Sequence, residues 1–115
     1  MEVQRFTRGV QVTLDGSGEG DVSLPAVPAN RVWRPVSVHT RRVTGSTPYS
    51  PAQLQLYIGE PGASDPIDGT YSGDLDTTDN PVPLLFASEW LSARFTNGTA
   101  GDIYRVSMMF TEEPA

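Results

Sequence analysis

Strict alternation near the C-terminus constrains this chain more than any other feature. Over residues 103–110, Tyr104, Val106, Met108 and Phe110 fall on one face of an extended strand, and Ile103, Arg105, Ser107 and Met109 on the other. That period of two belongs to a half-buried strand. Residues 91–95 form a second β-run. Between the two, Asn97, Gly98 and Gly101 offer the positive-φ positions of a reversal, so the pair reads as a C-terminal hairpin. Two strands alone expose too much apolar surface to stand in water. The remaining chain is therefore expected to cover them.

Upstream, the same periodicity recurs between turns. Phe6, Val10, Val12 and Leu14 alternate in a strand that could bend at Gly9, and the glycine-rich residues 15–20 return the chain through Val22 and Leu24. This predicts a first hairpin over about residues 10–24, ended by Pro25 and Pro28 because proline cannot donate to a ladder. Val32, Val36 and Val38 share one face of a long strand, in which Pro35 demands an edge position or a bulge. Leu54, Leu56 and Ile58 oppose Gln53, Gln55 and Tyr57 in a clean half-buried strand. A further short strand is expected over residues 82–86, and the tail at 111–115 is expected to fray unless a partner holds it.

No stretch shows the i, i+3, i+4, i+7 stripe of an amphipathic helix. Seven to eight short strands separated by Gly/Pro-rich turns predict an all-β, antiparallel β-sandwich, immunoglobulin-like or jelly-roll, with a small barrel as the alternative. At 115 residues, without an internal repeat, the chain reads as one domain over residues 1–115 with flexible ends. The core predicted from the strongest single-face sets is Val36, Leu54, Leu56, Ile58, Val106, Met108 and Phe110.

The charge pattern bears on partners. All eight basic residues are arginine and the net charge is −6. Residues 1–58 carry six arginines against four acids, whereas residues 59–115 carry two against ten. An acidic chain repels phosphate backbones, so nucleic acid is not an expected partner. With no cysteine there is neither a disulfide framework nor a thiolate metal site. The N-terminus lacks the basic-then-apolar plan of a signal peptide, and no window is apolar enough for a membrane helix.

Candidate chemistry is sparse. His39 is the lone histidine, sits within a strand, and has no nucleophile-elbow pattern to serve; no catalytic residue is assigned and no enzyme activity is expected. The segment at about 60–81 is rich in turn formers and acids. A loop this long is normally functional or locally folded. Asp74, Asp76 and Asp79 offer the hard oxygens calcium prefers, but without the EF-hand spacing. No cofactor is expected beyond that calcium possibility. Trp33, Trp90, Tyr49, Tyr57, Tyr71 and Tyr104 could include a sugar-stacking platform, although in a sandwich of this size core positions claim most aromatics. Arg41 and Arg42 are adjacent in a strand, point to opposite faces, and make no patch by themselves.

The order Val32-Trp33-Arg34-Pro35-Val36-Ser37-Val38, then Leu54-Gln55-Leu56-Tyr57-Ile58-Gly59, then Ile67-Asp68-Gly69-Thr70-Tyr71-Ser72-Gly73-Asp74-Leu75-Asp76-Thr77, resembles small structural proteins of tailed bacteriophages of actinobacteria. This chain departs from their pattern in a longer N-terminal hairpin. The resemblance implies a β-sandwich of the virion with no catalytic residues: a capsid decoration protein present in many copies on the major capsid protein, or a tail or baseplate component. A carbohydrate-binding module is the rival from another class. For a virion protein, the acidic loop and the two chain ends are the expected docking elements, because so polar a loop gains little by packing on its own domain. Tyr71, Leu75 and Asp68 of the loop, with Arg5 and Phe6 near the N-terminus, are the expected partner-binding residues.

Overall fold

A computed structural model describes residues 5–45, 52–70, 77–78 and 83–115. Eight strands and no helix occur among them: β1 (Arg5–Thr13), β2 (Gly20–Ser23), β3 (Arg31–Thr44), β4 (Gln53–Ile58), β5 (Asp68–Thr70), β6 (Thr77–Thr78), β7 (Leu91–Thr96) and β8 (Ile103–Pro114). They form two four-stranded antiparallel sheets, ordered β1-β8-β3-β6 and β2-β7-β4-β5. Strand one lies beside strand eight, two beside seven, three beside six and four beside five. The chain is thus one long ribbon folded at β4–β5 and wound over itself, which is the jelly-roll form of the sandwich.

This winding corrects both expected hairpins. β7 and β8 do not pair with each other. β7 lies between β2 and β4, and β8 lies between β1 and β3 in the other sheet. The glycine-rich turn at 15–20 likewise carries the chain from one sheet to the other. Each turn is too long to enforce a two-residue reversal, and each strand reaches its apolar cover by facing the opposite sheet. The two crossings then dock on one another. Leu14 N donates to Asp102 O (2.9 Å), Gly101 N to Leu14 O (3.0 Å) and Gly98 N to Gly18 O (3.0 Å). Gly18, Asn97 and Gly101 adopt positive φ there.

The core lies between the sheets. Tyr104, Val106, Met108 and Phe110 from β8 meet Leu54, Leu56, Leu91, Ala93 and Phe95 from the facing sheet, all buried, with Ile58 half-buried against them. Trp33 stacks on Phe110 with ring centroids 4.1 Å apart, and Phe95 packs on Tyr104 at 4.8 Å. The Tyr104 hydroxyl accepts a hydrogen bond from Ala52 N at 3.0 Å, tying β8 to the start of β4.

Val36 is the expected core residue that the structure places elsewhere: it is 48% exposed. The ladder between β3 and β8 shifts between Pro35 and Ser37, so Val36 is the extra residue of a bulge. A one-residue bulge exchanges the faces of everything before it. Trp33 therefore turns inward while Val32 is left half-buried, although Val32 and Val38 share parity in the sequence.

Three further expectations change. The tail is paired in β8 as far as Pro114 and does not fray: the Trp33 indole donates to Glu112 Oε2 (2.8 Å), Arg34 pairs with Glu113 (3.1 Å), and Ala115 N donates to Asn30 O (3.0 Å). At the other end, Arg5, Phe6 and Thr7 pair with Thr111, Phe110 and Met109. The acidic segment holds two short strands, β5 beside β4 and β6 beside β3. The strand expected over residues 82–86 contracts, among the described residues, to one bridge between Leu85 and Trp33.

Candidate docking surfaces

Among the described residues, three of the four sheet edges are short: β2 spans 4 residues, β5 spans 3 and β6 spans 2, whereas β1 spans 9 and pairs there along one side, with β8. Long open edges template the addition of another strand, which is why most proteins keep them short or covered. β1 carries two of the expected partner-binding residues. Arg5 is exposed. Phe6 is half-buried, stacks on Phe110 at 5.8 Å, and lies beneath the Arg8 guanidinium at 5.9 Å. Its ring therefore serves the core as well as the edge.

Asp68 stands at the opposite flank, at the start of β5, where its Oδ1 accepts a hydrogen bond from Gly69 N at 2.8 Å. Since β1 and β5 end their sheets on opposite sides, the structure does not gather Arg5, Phe6 and Asp68 into one site. Tyr71 and Leu75, and the calcium candidates Asp74, Asp76 and Asp79, lie outside the described residues. Among the described residues no group of three acidic or histidine side chains is placed to hold a metal ion, and no helix is long and apolar enough to cross a membrane.

Among the described residues the aromatic set forms no exposed platform. Trp33, Tyr57 and Tyr104 are buried, Trp90 is half-buried, and Tyr49 and Tyr71 fall outside the described residues. Tyr57 is buried from the outer face of its sheet, where the sequence pattern leaves it exposed. The turn after β4 folds over it: Ser92 Oγ donates to Gly59 O, Arg94 Nη2 donates to Pro61 O (3.2 Å), and the Arg94 guanidinium lies 5.9 Å from the Tyr57 ring.

Beside this turn, a shallow cleft of about 380 Å³ is lined by Asp15, Glu19, Gly20, Asp21, Arg94 and Thr96. Its three carboxylates are unequally free. Asp15 Oδ1 caps its own turn, accepting from Ser17 N (2.8 Å) and Glu19 N (3.1 Å). Asp21 accepts two hydrogen bonds from Arg94, at 2.9 and 3.1 Å. Those bonds, and then the charge of Asp21, raise the Arg94 pKa above its ordinary value.

One arrangement is not visible in the sequence. Arg41 and Arg42 do point to opposite faces, and Arg42 lies 3.7 Å from the buried Asp102 carboxylate. Arg41, exposed, stands directly across from Arg105 in the ladder between β3 and β8. Only the register, with its two shifts, reveals that pairing.

No protein-family model and no curated protein matches the sequence. Among solved structures, the chain is similar to a protein from the structure described as "Bacillus endospore appendages form a novel family of disulfide-linked pili". The TM-score is 0.53 over 97% of this chain and 88% of that one, at 9% sequence identity. A likeness at that identity is one of fold.

Proposed function

We propose that this chain is a non-enzymatic structural protein of a bacteriophage virion, a capsid decoration protein that docks in many copies on the major capsid protein. The observation that carries the reading is the β1 edge, which among the described residues is nine residues long and open on one side while the other three edges span two to four. Such an edge suits strand addition by a partner, where main-chain hydrogen bonds supply affinity and alternate side chains supply specificity. The sequence resemblance to phage structural proteins points the same way. The appendages of similar fold are described as disulfide-linked pili; this chain has no cysteine, so disulfides between its residues play no part in the proposed docking.

Arg5 and Phe6 make the β1 contact in this reading, and Tyr71 and Leu75 of the acidic segment are proposed as a second anchor. The test measures copies incorporated per particle for Arg5→Glu and Phe6→Ala, with melting temperature as the control for folding. Loss of incorporation by a folded Arg5→Glu variant supports edge docking. Undiminished incorporation of both variants refutes it. Mass spectrometry of separated heads and tails decides between decoration of the capsid and a tail or baseplate location.

A further inference from the structure

Among the described residues, the two outer faces of the sandwich carry charges of opposite sign. On the β1-β8-β3-β6 sheet, the register sets Arg5, Thr111 and Arg34 in one outward row, Thr7, Met109 and Ser37 in the next, and Gln11, Arg105 and Arg41 in a third. Glu113 matches Arg34 at 3.1 Å. No carboxylate pairs with Arg5, Arg41 or Arg105 among the described residues. Like charges directly across a ladder destabilise a sheet. Here the Arg105 side chain leans away from Arg41 across β1, over Gly9, where an added Cβ would meet Arg105 Nη2 at 2.5 Å. The same face leaves Met109 36% and Val36 48% exposed.

On the other sheet, Asp15, Glu19 and Asp21 line the cleft, and the exposed Glu60 sits on the turn folded over that face. Arg94 is the one arginine there and is already engaged with Asp21. We propose that copies of this chain stack front to back, with the arginine face of one copy on the carboxylate face of the next. Arg41 and Arg105 meet Glu19 and Glu60, and Met109 and Val36 provide the apolar centre. Because the two surfaces lie on opposite sides of the sandwich, the contact is heterologous and propagates into a row or ring of copies. This goes beyond capsid docking and leaves the β1 edge free for it, so loss of stacking and loss of particle incorporation are separable.

The experiment is sedimentation velocity on the full chain across a concentration series. At low salt the wild type gains mass with concentration, and raising the ionic strength toward 1 M, where the screening length falls to about 3 Å, reverses the gain. Arg41→Glu with Arg105→Glu weakens association by about tenfold or more, as does Glu19→Arg with Glu60→Arg. All four substitutions together restore it, because the faces have then exchanged sign. A wild type that stays monomeric throughout overturns the proposal, as does a folded Arg41→Glu/Arg105→Glu variant that associates like the wild type. If the reversal variants do not fold, Arg41→Gln with Arg105→Gln removes the charge without reversal, and association equal to wild type then overturns the proposal.

Discussion

Arg94 and Arg105 occupy matching places, each outward on the second strand of its sheet, yet the fold uses them differently. Arg94 holds Asp21 by two hydrogen bonds, reaches Pro61 O and lies over Tyr57. Arg105 lies over Gly9 with no carboxylate beside it among the described residues. One outer face is therefore finished by the chain's own turn and side chains. The other keeps its arginine charge unpaired among the described residues, and the contrast points to a candidate surface that composition alone would hide in a chain of net charge −6.

The contrast concerns outer faces only if both sheets share one core, and the largest predicted effect tests that premise. Phe110 is 1% exposed and stacks on both Phe6 and Trp33. Phe110→Ala is expected to cost about 3–5 kcal/mol in denaturant unfolding, the usual range for emptying a large aromatic site. A loss below about 1 kcal/mol would mean that this face of β8 is not core. The assignment of outer faces would then reverse with it.

The join between the sheets is next. Gly18 has φ +73°, and a Cβ there would collide with the Gly98 carbonyl on the other crossing. Backbone clash and a forced left-handed conformation together place Gly18→Ala at about 2–3 kcal/mol. Gly16, with open space around it, is the control, and Gly16→Ala is expected to leave the unfolding midpoint nearly unchanged. Equal effects at the two positions would show that the crossings do not dock.

What the sequence could and could not disclose follows from range. Alternation is local, so the inward sets of β4 and β8 are legible from Leu54 and Leu56 and from Tyr104 through Phe110. Choice of neighbour is not local. Asn97, Gly98 and Gly101 announce a reversal without saying whether the chain returns beside itself or crosses to the other sheet, and both crossings read as hairpins. Pro35 signals a bulge but not its position, so Val36 and Trp33 exchange roles. At the docking surfaces, Arg5 and Phe6, read in the sequence as part of a flexible end, are instead paired with Thr111 and Phe110 in β1, because alternation cannot show that β8 continues far enough to hold them. Pairing of Arg41 with Arg105 depends on register across two shifts in the β3–β8 ladder, and nothing in the spacing of 41 and 105 encodes it.

The smallest predicted effect bears most directly on the two arginines. Arg94→Ala removes two hydrogen bonds to Asp21 and the cover over Tyr57, so the melting temperature should fall. Arg94→Lys should recover little of that loss, because an ammonium cannot reproduce the planar fork that grips a carboxylate. Arg105→Ala gives up only the stem lying over Gly9, together with cross-strand repulsion from Arg41, so its effect should stay within about 0.5 kcal/mol of neutral, the range of ordinary surface substitutions. Raising the salt concentration should shrink the Arg94 effect and move the Arg105 variant slightly the other way, since the first loses an ion pair and the second a like-charge repulsion, and salt screens both. If Arg105→Ala instead proves the more damaging of the two, Arg105 is holding β1 in place, and the arginine face is part of the fold rather than a surface kept for a neighbour.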